Sequence, residues 1–171
     1  MKLATTFAGL TLAIAAAYSM PAVAQTYHVN SSQPMARCMP STAEFGARLW
    51  ARPLAIDNTS TQVSWVTCGF EFDSGAAIDY SALMVDTYFT NNSNVDATVT
   101  CSGVAGYAGD VTENISLSVT IPAGSGGEDG NLYWMDTDFE TGSMETGLVA
   151  INCRLPAGVG INDSYVHWAT E

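Results

Sequence analysis

The chain reads as an all-β protein: an antiparallel β-sandwich of jelly-roll or other Greek-key type, with about 7–9 strands and two disulfides. Three observations predict it. Apolar residues alternate with polar ones in one short run after another, the spacing of strands with one buried face. Clusters of Asn, Ser, Gly and Pro separate the runs, and no long stretch has the period of an amphipathic helix. Four widely spaced cysteines then supply the cross-links.

The first residues stand apart from this pattern. Met1-Lys2 leads into an apolar run, Phe7 to Ala17, and then to Pro21-Ala22-Val23-Ala24 before Gln25. A charged start, a short apolar core and small residues at the last and third-last positions are the parts of a secretory leader cut after Ala24. A membrane span needs roughly 20 uninterrupted apolar residues, and Pro21 ends this run too early. The predicted organisation is a signal peptide over 1–24, an N-terminal arm over 25–45 and a β-sandwich domain over 46–171. The mature protein is then a secreted or periplasmic protein.

Within the arm, Pro34 and Pro40 break any period, so an extended segment pinned at Cys38 is expected. Thr42 to Leu49 has one helix signal, Ser41 followed by Glu44 three residues on, and Gly46 and Pro53 cut it short. A short strand is predicted over Leu54 to Asp57, with a turn at Asn58-Thr59-Ser60.

The clear strands follow. Val63 to Asp73 sends Val66, Cys68, Phe70 and Phe72 to one face. Ala82 to Asn91 sends Leu83, Val85 and Phe89 inward, with Met84, Asp86 and Tyr88 outward. Ala97, Val99 and Cys101 alternate with Thr98, Thr100 and Ser102, and Ile115, Leu117, Val119 and Ile121 alternate with Asn, Ser and Thr. Leu132 to Asp136 is a further strand. Gly147 to Pro156 is the most apolar, with Val149, Ile151, Cys153 and Leu155 on one parity; a turn at Pro156 and Gly158 precedes a last strand over Ile161 to Ala169. One sheet alone would leave an apolar face in water, so two must pack. An immunoglobulin domain is not indicated, because Ile151 stands two residues before Cys153 where that fold keeps a tyrosine.

Cys38, Cys68, Cys101 and Cys153 show no C-x-x-C pair, so neither a zinc site nor a thioredoxin-like motif is written here. In an oxidising compartment they make two disulfides; of the three pairings open to four cysteines, Cys38–Cys68 with Cys101–Cys153 is the one expected. The second pair lies on the inward parity of two strands; the first tethers the N-terminal segment.

Lys2 leaves with the leader, so the mature chain keeps four arginines against 17 carboxylates, and the formal charge goes from −12 to −13. Such a surface repels phosphates and anionic lipid, which argues against nucleic acid and membrane insertion. A glycan or protein partner stays open, as does the oligomeric state.

Residues that could carry chemistry are few. The histidines are His28 and His167, and G-x-S-x-G is absent, so no nucleophile–base–acid set is recognisable and no catalytic residue is assigned. His167 reads as a partly exposed strand residue. Asp136, Asp138 and Glu140 space three acids at alternate positions, the oxygen-rich composition calcium takes, although the EF-hand pattern fails at Thr141 and Gly147. No cofactor is expected, with calcium left open. Trp65, Trp134 and Tyr107 are candidate ligand-binding aromatics, on outward parity or in loops where sugars could stack. The N-x-S/T triplets at Asn58, Asn91, Asn114 and Asn162 would matter only in a eukaryotic secretory pathway.

Val66-Thr67-Cys68 with Phe70, then Val99-Thr100-Cys101, then Cys153-Arg154-Leu155-Pro156 before a terminal strand, resembles small secreted bacterial proteins of uncharacterised function that share a late C-x-L-P segment. The resemblance implies export and a β fold, and it brings no activity. The functional expectation is a secreted, non-enzymatic binding or structural module. The alternatives are a carbohydrate-binding module, with or without calcium, and a self-assembling surface or filament subunit.

Overall fold

The structure is a computed structural model of the 171-residue chain and describes residues 25–72, 78–106, 112–139, 144 and 148–170. Among these residues eleven strands form two antiparallel sheets. The strands are β1 (Thr26–Ser32), β2 (Cys38–Pro40), β3 (Leu49–Arg52), β4 (Ala55–Asn58), β5 (Ser64–Glu71), β6 (Ile78–Asn91), β7 (Ala97–Gly106), β8 (Thr112–Ile121), β9 (Gly126–Met135), β10 (Leu148–Leu155) and β11 (Val159–Thr170). One sheet runs β2-β5-β10-β7-β8; the other runs β3-β4-β11-β6-β9, with β1 also on β11. Apart from the β3-β4 and β7-β8 hairpins, consecutive strands pass from sheet to sheet, so β4-β5 with β10-β11 wraps around β6-β7 with β8-β9. That is jelly-roll order.

The expected alternation holds along the inner strands. Val66, Cys68 and Phe70 of β5, Leu83, Val85 and Phe89 of β6, and Val99 and Cys101 of β7 are buried between the sheets. Removing each large apolar side chain from water contributes about 1.5–3 kcal/mol. Both disulfides join directly opposed residues of neighbouring strands: Cys38 on β2 with Cys68 on β5, and Cys101 on β7 with Cys153 on β10. The predicted pairing is the observed one.

The N-terminal segment is built into both sheets. β1 lies along β11 for seven residues, from Thr26↔Thr170 to Ser32↔Ser164, and a single turn, α1 (Pro34–Arg37), carries the chain across to β2. Alternation is muted there because the segment sits at an edge: Tyr27 and Val29 remain exposed, while His28 stacks on Trp168 with ring centroids 5.2 Å apart. The helical turn expected after Ser41 is α2 (Ala43–Gly46), but its cap is Thr42, which accepts from the Phe45 N–H. Ser41 instead hydrogen-bonds the Thr67 hydroxyl at 2.9 Å.

The nested halves repeat each other in detail. Asn58 closes β4 and Asn91 closes β6, and both are fully buried. Asn58 Nδ2 lies 2.7, 2.9 and 3.0 Å from the carbonyls of Gln62, Leu155 and Pro156, while its Oδ1 accepts from the N–H and hydroxyl of Ser60. Asn91 Nδ2 lies 2.8, 3.0 and 3.2 Å from the carbonyls of Val95, Ile121 and Pro122, while its Oδ1 accepts from the N–H and hydroxyl of Ser93. Each asparagine thus ties its own turn to a second one, Leu155-Pro156-Ala157-Gly158 or Ile121-Pro122-Ala123-Gly124. Gly158 and Gly124 end those turns at φ +77° and +68°, where a side chain would be strained. Asn58 and Asn91, the first residues of two of the N-x-S triplets, are therefore buried structural plugs.

Candidate functional site

Two outer faces are available to a partner, and they differ in chemistry. On the five-stranded sheet the outward positions of β7 and β8 are mostly hydroxyls, and Trp65 stands beside Arg154 in the β5–β10 register. On the six-stranded sheet they gather aromatic and ionisable groups. Asp86 of β6 stands opposite Tyr165 of β11 on one side and opposite Tyr133 of β9 on the other. Two residues along the same strands lie Tyr88 and His167.

These side chains enclose a hollow. The Tyr88 and Tyr165 rings meet edge to face at 5.9 Å, and the Tyr165 and His167 rings lie 6.1 Å apart. The β11–β6 register slips between Ile161 and Ser164, where residues 162 and 163 have no counterparts on β6, and Asp163 stands at the rim. Asp86, Tyr88, Asp163, Tyr165 and His167 bound a volume of about 270 Å³. A second hollow of about 480 Å³ shares Asp163 and Tyr165 and continues to Ser31, Gln33, Arg37 and Leu54. The two hollows adjoin across β11 at Asp163 and Tyr165, and together are called the groove over Tyr165.

Asp86 is the electrostatic centre of the groove. It is 7% exposed, and its Oδ2 lies 3.6 Å from His167 Nε2, an ion pair when the imidazole is protonated but too long for a hydrogen bond. Burial raises the Asp86 carboxyl above its usual range, against the opposing pull of His167 and Tyr88. Burial and then the neighbouring Asp86 raise the Tyr88 phenol, so it stays a neutral donor. Asp86 Oδ1 and His167 Nε2 are both buried without a hydrogen-bond partner. Buried polar atoms are seldom left so.

The residues singled out from sequence do not converge here. Trp134 is fully buried: its indole N–H donates to the Ile115 carbonyl at 2.9 Å, and the ring lies so close over Gly103 that a Cβ there would sit 2.6 Å from Nε1. It is a core residue, on the inward parity of β9 beside Leu132, and cannot serve as a platform. Trp65 is half-buried on the opposite sheet, so the two tryptophans share no groove. Tyr107 and Glu140 lie outside the described residues. Asp136 and Asp138 form a short 3-10 turn after β9, where an Asp138 oxygen accepts from the Met135 N–H at 2.7 Å. Among the described residues no three His, Cys, Asp or Glu side chains are placed to hold a metal ion. The residues that line the groove were legible only as Asp86-x-Tyr88 and Tyr165-x-His167 on outward parity; their meeting depended on strand order.

No protein-family model matches the chain, and no curated protein matches it. Among solved structures, the chain is similar to TmCBM61 in complex with β-1,4-galactotriose, at 14% identity and a TM-score of 0.39, covering 82% of this chain and 86% of that one. It is also similar to the family 11 carbohydrate-binding module from Clostridium thermocellum in complex with a β-1,3-1,4-mixed-linked tetrasaccharide, at 9% identity and a TM-score of 0.43, covering 82% and 87%. At these values the likeness transfers nothing to the site, which stands on its own residues. Among the described residues no helix is long and apolar enough to cross a membrane.

Proposed function

We propose that this is an exported, non-catalytic glycan-binding module, and that the groove over Tyr165 is its binding site. One observation carries the reading: Tyr88, Tyr165 and His167 line a hollow open to solvent, with the Asp86 carboxyl at its floor and Asp163 at its rim. Binding sites combine flat apolar surface with a few fixed polar groups, and a sugar ring matches both: its C–H face lies on a tyrosine and its hydroxyls donate to a carboxylate. The chain's formal charge of −12 disfavours uronates over the molecule as a whole, so the ligand in this reading is a neutral oligosaccharide. Export is supported by the leader and by two disulfides, which persist in oxidising compartments.

Titration calorimetry against a panel of neutral and acidic oligosaccharides tests this. Tyr165→Ala should weaken binding of a neutral ligand about tenfold or more, with EDTA leaving it unchanged. No binding across the panel would end the proposal, and release of reducing ends from the same ligands would end its non-catalytic part.

A further inference from the structure

The five-stranded sheet ends on β8, an edge with few of the usual protections. Natural edges are kept short, charged, kinked or interrupted by proline, because unpaired N–H and C=O groups invite another strand. Most other edges of this fold comply: β2 and β3 have three and four residues, and β9 carries Glu128 and Asp129. β1, with seven residues and neither charge nor proline, is the shorter exception. β8 has ten, pairs with β7 in unbroken register from Ala97↔Ile121 to Gly106↔Thr112, lacks proline, and carries one charge, Glu113. Among the described residues no strand pairs with its other side.

The outer face beside this edge is uncharged. Thr98–Thr120, Thr100–Ser118 and Ser102–Ser116 form three hydroxyl rungs at 2.9, 2.8 and 2.7 Å. On a chain of formal charge −12, most approaches by an identical molecule are repulsive, and this strip is an exception.

We propose that β8 is a homodimer edge: a second copy of this chain adds its own β8 antiparallel about a two-fold axis at Leu117, joining two five-stranded sheets. In that register Ser116 meets Ser118 of the other copy, Asn114 meets Thr120, and Glu113 meets Ile121, so no like charges oppose one another. Two of the three hydroxyl rungs, Ser102–Ser116 and Thr100–Ser118, then run on from one subunit to the next.

Sedimentation velocity over a concentration series tests it, with circular dichroism to confirm folding. The unmodified chain should dimerise reversibly, and more tightly as salt screens its charge. S116D/S118D sets carboxylates against carboxylates across the axis and should weaken the dimer about tenfold, whereas S116K/S118D sets lysine against aspartate and should keep it. In the unmodified chain, hydrogen exchange should slow at Thr112–Ile121 as concentration rises, and not at β9. A chain that stays monomeric at high salt, an S116D/S118D variant that dimerises as tightly as the original, or protection arising outside β8 would each overturn the proposal.

Discussion

Asn58 and Asn91 are the same joint used twice. Each is fully buried, each accepts from a serine two residues on, and each shares its amide hydrogens among three backbone carbonyls of two different turns. One pins the outer pair of strand crossings and the other the inner pair, so the two asparagines hold the corners of the sandwich.

Removing either joint should be severe. Asn91→Ala leaves the Ile121 and Val95 carbonyls and the Ser93 N–H without this partner, and unmet buried groups cost about 1–3 kcal/mol each. A loss of about 2–4 kcal/mol is expected in urea unfolding. Asn91→Asp should do at least as much harm at neutral pH, because a carboxylate accepts but cannot donate to those carbonyls.

Gly103 exists to admit Trp134. A methyl group there would stand 2.6–2.9 Å from three atoms of the indole, so Gly103→Ala forces the ring or β7 to move. Overpacking of this kind costs about 1–3 kcal/mol. Urea unfolding would measure the loss, and the near-ultraviolet circular dichroism of the buried indole should change with it.

The two disulfides should contribute by similar amounts. They span sequence separations of 30 and 52 residues, for which the chain-entropy relation gives about 3.6 and about 4.1 kcal/mol. Paired Cys→Ala variants compared in urea would show the Cys101–Cys153 bridge as the equal or larger contributor. A variant lacking Cys38–Cys68 should also expose β1 and β2 to faster hydrogen exchange, since that bridge fastens the N-terminal strands.

Asp86 should make the protein less stable as pH rises. Burial holds its folded-state carboxyl above the ordinary value of 3.8, so between that value and the raised one the folded protein binds more protons than the unfolded chain. Stability therefore falls across this window, and the penalty is complete above it. Asp86→Asn should raise the melting temperature relative to the parent at pH 7 and leave it alike at pH 3. If the groove binds glycan through this carboxylate, the same variant should bind less well while being more stable, the opposed changes expected of a residue kept for function.

Much of the architecture was legible along the chain. Parity alone placed Val66, Cys68 and Phe70 on one face and Asp86 and Tyr88 on the other, because side-chain direction in a strand is a local, two-residue property. Trp134 shows where that reading slipped: it shares the parity of Leu132, and its aromatic character drew it toward a ligand role that its position in β9 denies. The nested repeat was also present in the letters, as Val-Thr-Cys twice and as Leu-Pro-Ala-Gly and Ile-Pro-Ala-Gly, yet its meaning lies in hydrogen bonds between distant turns.

Read along the chain alone, the residues required two greasy-faced sheets to close on each other, four cysteines to pair in an oxidising compartment, and an anionic surface. Tertiary structure alone decided that β6 and β11 lie side by side, which brings Asp86 to Tyr165 and His167, and that β8 is left at an edge. The reason is physical: facing direction is set by adjacent residues, whereas the choice of neighbouring strand is set by contacts between segments far apart in the chain.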